Sequence, residues 1–389
     1  MSGRQGYGGS ASVIAARGAV WLALPLAFAS LGCGSPLPPA VGLAEATATA
    51  PAVQRRPAER DAFAAGRHRG VCFAHSLGGD DGYGSPASAA SLAELRKLGV
   101  DWVSITPFGF LADPHATEIR RLHGESDDRL RAVTAQAHAA GMRVLLKPHL
   151  WLRPPHWVGD VTQNDEAGWR VFFAAYEELV VHYARLGREA GVDALLVGNE
   201  LQGTTQRDAD WRHLIAAARR EFPGPIGYGA NYGEVERVPF WDALDFIGVS
   251  AYFPLVEEAA PSRQQMVAAW TPIVARLATL SLRWDRRVVF TEIGYPAAQW
   301  AAWRPWELPA GAERNAQLQA DAYAAFLEAV WPQPWLGGAY WWKWFSGEGE
   351  HGRGPERSVP SERHGWRDPF EFRGSPAAEV LRGAWAPPR

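Results

Sequence analysis

From residue 70 onward, short apolar runs alternate with longer stretches in which apolar residues recur every three to four positions. Continuous apolar runs are what strands buried on both faces look like, whereas the longer period marks helices with one buried stripe. The runs predict eight strands, at 71–75, 102–106, 143–147, 194–199, 226–229, 246–251, 288–291 and 338–341. Helical patterns cover 88–98, 127–140, 166–189, 208–221, 262–280 and 312–330, and the segment after the fifth strand is short. Asp127, Asp128 and Asp208 stand where N-caps belong, and Gly141 and Gly191 lie just past the helix ends they would terminate. Strands alternating with helices predict βα units and a parallel sheet. The α/β class and a length of about 320 residues fit a single (β/α)8 TIM barrel from about residue 68 to 386. Residues 346–374, Gly-rich and charged, read as a long loop after the eighth strand.

The first 67 residues do not share this pattern. Arg4 and Arg17 precede the apolar stretch 19–31, which ends at Gly32-Cys33. A basic region, a short apolar core and small residues at a cleavage site make residues 1–33 an export signal. The apolar core is shorter than the roughly 20 residues that span a bilayer. Leu31-Gly32-Cys33 resembles a bacterial lipoprotein acylation site, with Ser30 where leucine is usual. Two destinations stay open: a cell-envelope lipoprotein attached to the membrane through lipidated Cys33, and a secreted extracellular protein. Residues 34–67, rich in Ala, Pro and Thr, read as a flexible tether.

Composition narrows the chemistry. A formal net charge of −3 provides no basic surface for nucleic acid. Cys33 and Cys72 are the two cysteines, too few for a disulfide framework or a Cys-rich metal site. Cys72 is expected as a lone buried thiol on the first strand, the alternative being a bridge to Cys33. Nineteen tryptophans fit a carbohydrate cleft, because indole faces stack on sugar rings, but large domains also bury aromatics.

Two apolar runs break off in a carboxylate: Ala194-Leu-Leu-Val-Gly-Asn-Glu200 and Arg287-Val-Val-Phe-Thr-Glu292. A glutamate at a strand end is often a cap or a surface ion partner. Here both contexts match, with Asn199 before one and Gly294-Tyr295-Pro296 after the other. The 92 residues between them amount to roughly three βα units at about 30 residues each, so the pair belongs to the fourth and seventh strands. There the carboxylates would face each other across the barrel mouth, the equipment for glycosidic bond hydrolysis. One rival is a metal-dependent hydrolase built on His75, His149 and Glu200, although the closely paired histidines of such sites are missing. The other is a non-catalytic glycan-binding lipoprotein on the same barrel.

Gly198-Asn199-Glu200-Leu201, Thr291-Glu292-Ile293-Gly294-Tyr295 and Tyr340-Trp341-Trp342 together resemble the retaining glycosidases of clan A, and most of all glycoside hydrolase family 113. The resemblance covers about residues 70 to 345 and implies a β-mannanase-like enzyme on a TIM barrel. It makes Glu200 the acid/base, Glu292 the nucleophile and Asn199 a substrate ligand. Leu146-Lys147-Pro148-His149 resembles a family motif, which makes Lys147 and His149 candidate ligands of sugar hydroxyls. Tyr252 matches a clan tyrosine that hydrogen-bonds the nucleophile. Trp341 or Trp342 is expected as the platform under the cleaved sugar, since adjacent strand residues point opposite ways. Trp151, His75 and Phe108 are further candidates to line the pocket. The implied substrate is a neutral β-1,4-linked hexose polysaccharide or oligosaccharide, mannan first, cut without metal or cofactor. Another β-glycan is the alternative.

Overall fold

A computed structural model describes Phe63 and residues 66–76, 81–121, 126–347 and 368–386. The export signal, Cys33, most of the tether and most of the 346–374 loop lie outside the described residues.

Eight parallel strands close into a barrel. They are β1 (His68–Ala74), β2 (Trp102–Ile105), β3 (Arg143–Leu146), β4 (Ala194–Asn199), β5 (Ile226–Asn231), β6 (Phe246–Ser250), β7 (Val288–Ile293) and β8 (Leu336–Phe345), each paired to its chain neighbours, with β8 closing on β1. Around them lie α1 (Pro86–Lys97), α2 (Asp127–Ala139), α3 (Glu166–Ala190), α4 (Asp208–Glu221), α5 (Arg263–Trp284), α6 (Ala316–Ala329) and α7 (Pro376–Trp385). After β5 a single 3₁₀ turn, Trp241–Ala243, replaces a helix. No helix among the described residues is long and apolar enough to cross a membrane.

Alternation along the strands divides the core in two. Cys72, Trp102, Leu145, Ala194, Leu196, Phe246, Val289 and Tyr340 fill the barrel, while their neighbours in sequence pack outward against the helices. The folded packing also starts earlier than expected. Phe63, assigned above to the tether, packs against the floor of the barrel, its ring 4.8 Å from Phe246 and 4.5 Å from His68. One aromatic residue inside an Ala- and Pro-rich stretch has no periodicity to mark it.

The helix boundaries correct some details. Ser126, and not Asp127 or Asp128, caps α2, accepting from the Arg129 N–H. Asp208 lies inside the first turn of α4, where it pairs with Arg212. Gly141 and Gly191 do end their helices, at φ 74° and 75°, where glycine carries no Cβ penalty. The helix α7 falls outside every predicted element, although Ser375-Pro376 is a helix-start signal, with the serine capping and proline at the first position.

A second sheet, of strands Arg120–Arg121, Phe108–Leu111 and His149–Leu152, was not expected. Pro107 and Pro148 end β2 and β3, and both chains then resume as strands beyond the barrel rim. Alternate residues of this sheet are half-buried on one face, giving an aromatic ladder of Phe108 beside His149 and Phe110 beside Trp151.

Candidate active site

The two glutamates meet the barrel mouth through irregular backbone. In the pairing of β4 with β5 the register shifts between Leu196 and Asn199, and in that of β6 with β7 it shifts between Phe290 and Glu292. Such irregularities break the alternation and re-aim side chains beside functional sites. Glu200, one residue past β4, has φ 55°, a left-handed conformation that costs a non-glycine residue roughly 1–3 kcal/mol. Its N–H is anchored to the Gly229 carbonyl on β5 at 2.7 Å.

The half-buried Glu200 carboxyl accepts hydrogen bonds from the Asn231 amide at 3.0 Å and the Trp157 indole N–H at 3.5 Å. Burial and the charge on Glu292 push it up to about 7, against those two hydrogen bonds and Lys147. Glu292 is 6% exposed and is gripped on both oxygens, by the Lys147 ammonium and by the Tyr252 hydroxyl at 3.0 Å. Burial pushes its carboxyl up too, but Lys147, His149 and the hydrogen bonds from Lys147 and Tyr252 outweigh it and hold it below the usual glutamate value. One carboxyl is thus biased to keep a proton near neutrality and the other to stay ionised, the division of labour that acid/base and nucleophilic roles require.

Asn199 is buried between strands, where its Oδ1 accepts from the Ser250 hydroxyl at 3.3 Å. Its Nδ2 has no partner. A Cβ at position 229 would lie 2.3 Å from that Oδ1, so Gly229 provides the space for the amide. An orphaned buried donor costs about 1–3 kcal/mol unless a ligand satisfies it.

The model of Glycoside Hydrolase Family 113 matches residues 73–353. The chain belongs to this family. It is an O-glycoside hydrolase with a (β/α)8 barrel. The family 113 β-mannanase AaManA from Alicyclobacillus acidocaldarius, solved in complex with ManMIm, is similar to it. The two are 27% identical over 84% of this chain and 99% of that one, with a TM-score of 0.71. A second family 113 structure, of a β-1,4-mannanase complex, shares the fold at 23% identity and TM-score 0.71, over 82% of this chain and 99% of that one. A family 5 structure from Streptomyces cattleya, in complex with Manβ1-4GlcNAc, shares it more distantly, at 18% identity and TM-score 0.55, over 82% and 80% of the two chains. No curated protein matches.

Within this family 113 barrel the other expected residues separate. Lys147 is fully buried and spent on Glu292, so it is a partner of that carboxylate and not the sugar ligand expected of it. Trp342 is half-buried, its ring 5.3 Å from the Lys147 ammonium, and is the tryptophan that faces the site. Trp341 points the other way, stacked on Tyr323 of α6 at 3.7 Å and without exposed surface, so strand alternation removes it from the pocket. His149 stands on the ladder close enough to Glu292 to lower its proton affinity. Trp151 stands one rung further out, and Phe108 pairs with His149. His75 follows β1 directly, and its Nδ1 accepts from the Tyr83 N–H at 2.9 Å. The trio His75, His149 and Glu200 forms no group of potential metal ligands among the described residues. Cys72 is a buried thiol inside the barrel, pushed by burial up to about 11.

Several site residues escaped the sequence reading. Asn231 ends an apolar run just as Asn199 does, but it lies two residues past the strand end at Gly229 that the pattern predicts. Ser250 closes β6 with no mark but its polarity. Trp157 lies in the loop Arg153-Pro154-Pro155-His156-Trp157, which has no period to read. Trp306 is 46% exposed and stacks on Tyr232 at 5.3 Å, next in sequence to Asn231.

Proposed function

We propose that this family 113 hydrolase is a retaining β-mannanase that cuts β-1,4-linked mannose chains, with Glu292 as nucleophile and Glu200 as acid/base. Two glutamates at one barrel mouth carry the reading, one held by the neutral donors Asn231 and Trp157 and the other gripped by Lys147 and Tyr252. In the first step a Glu292 oxygen bonds to the anomeric carbon while the glycosidic bond breaks, and the Glu200 proton passes to the departing oxygen. In the second, water gives a proton to Glu200 and its oxygen displaces Glu292, so the anomeric configuration is retained. The free Asn199 Nδ2 is suited to bond the 2-hydroxyl, an interaction that strengthens in the transition state. The substrate rests on the mannanase named in the similar AaManA structure and on the aromatic faces around the mouth.

Glu292→Ala should lose turnover and recover it with azide, giving product of inverted configuration. Glu200→Ala should lose about 10²–10⁴-fold on mannan and far less, in the first step, on substrates with good leaving groups. Full activity in either variant ends the assignment. Release of oligosaccharide from another β-glycan but not from mannan or glucomannan would keep the hydrolase and remove the mannanase. We further propose export through residues 1–33, followed either by anchoring through lipidated Cys33 or by secretion. A Cys33→Ser variant that stays in the membrane fraction would exclude the anchor.

A further inference from the structure

Glu234 is 1% exposed, and none of its hydrogen bonds reaches either reacting carboxylate. All three side-chain partners are neutral: the Asn231 N–H at 2.9 Å and the Tyr228 hydroxyl at 3.1 Å on one oxygen, and the Thr205 hydroxyl at 3.3 Å on the other. Burial pushes Glu234 up to about 7, against these three hydrogen bonds and the charge of Arg237, and no ion pair among the described residues offsets the desolvation, so the fold alone would be better served by an apolar side chain. What Glu234 touches explains its presence. Thr205 closes the turn that follows Glu200, and Asn231 is the residue whose amide reaches the Glu200 carboxyl. The Asn231 Oδ1 takes the Gly233 N–H at 2.9 Å, which leaves its Nδ2 to face Glu200. Asn231 is therefore held at its backbone by Glu234 and at its side chain by Gly233 and Glu200.

We propose that Glu234 is a positioning residue for the acid/base, acting through Asn231 to fix the orientation and proton affinity of the Glu200 carboxyl. This rests on the assignment of Glu200 as acid/base. The charged groups around the pair are Glu292 and Lys147 on the barrel side of Glu200, and Arg237 one turn beyond Glu234.

The Asn231 hydrogen bond lowers the proton affinity of Glu200, so losing it moves the basic limb of the kcat/KM profile to higher pH. Asn231→Ala should shift that limb by about one pH unit. Glu234→Ala should shift it in the same direction, and the double variant no further than Asn231→Ala. Glu234→Gln keeps an oxygen for Asn231 and Tyr228 while Thr205 turns its hydrogen to the Gln202 carbonyl at 3.1 Å, so the wild-type limb should return. If Glu234→Ala does not fold, Glu234→Asp, one methylene too short to reach both Thr205 and Asn231, should show the same shift to a smaller extent. A limb that stays in place in Glu234→Ala or Glu234→Asp, or losses that add in the double variant, would overturn the proposal. Carboxyl ¹³C titration of Glu200 in the unliganded full chain reads the same shift without substrate. It separates a failure of this proposal from a failure of the mannanase reading.

Discussion

At the residue scale, the tuning of Glu292 depends on one cation. Lys147 is its strongest opponent to burial, with His149 and Tyr252 adding to it. A nucleophile must be ionised, so activity is lost as the pH falls through the depressed value of Glu292. On the other side it is lost as the pH rises through about 7, where Glu200 gives up its proton. The kcat/KM profile should be bell-shaped between these limits. Lys147→Met removes the cation and lets burial raise Glu292, so the acid limb moves upward; the basic limb moves the same way but less, because Lys147 is the smallest of the influences on Glu200. Tyr252→Phe removes one donor and should move the acid limb less. A pH–rate profile of each variant checks both, and an unmoved acid limb in Lys147→Met would show that the pair does not tune the nucleophile.

At the scale of elements, the barrel supplies the reacting groups and the loops supply the walls. Trp157 and the Tyr232–Trp306 stack flank Glu200, the carboxyl proposed to protonate the leaving oxygen. On that assignment they line the side on which the leaving sugar departs. The ladder of Phe108, His149, Phe110 and Trp151 continues the cleft from the ends of β2 and β3. A sugar face laid on an indole removes apolar surface from water, at about 25 cal/mol per Å², so some tens of Å² contribute about 1 kcal/mol. Trp306→Ala should then lower kcat/KM on mannan about 3- to 10-fold while hydrolysis of an aryl mannoside stays as it was. Equal losses on both substrates would place Trp306 outside the leaving-group path.

At the scale of the whole molecule, the two ends of the barrel do different work. The C-terminal ends of the strands hold the chemistry, and the floor is closed by His68, Trp102, Tyr340 and Phe63. His68 is buried in this layer, and burial pushes its imidazole down to about 3, so it stays neutral throughout the working pH range. Side chains packed at this end of a barrel serve stability. Phe63→Ala should cost about 2 kcal/mol, less than a fully buried phenylalanine, and lower Tm by a few degrees with kcat unchanged. Thermal unfolding beside an activity assay tests this, and a fall in kcat without a fall in Tm would contradict it.

The eight barrel strands, six of the helices and the strand ends that carry Glu200 and Glu292 were legible in the chain, because burial imposes a local period that a one-dimensional pattern records. The two carboxylates stood out for the same reason, as polar breaks in apolar runs. The partners of those carboxylates were not legible. Lys147 meets Glu292 across 145 residues of sequence, and the contact exists because the closed barrel brings β3 and β7 to one mouth. Register irregularities at Asn199 and Glu292 redirect side chains that simple alternation would misplace, and the loop bearing Trp157 has no period at all. Periodicity shows which residues leave water; which of them then touch one another depends on barrel closure, register and loop paths, and these are long-range properties of the fold.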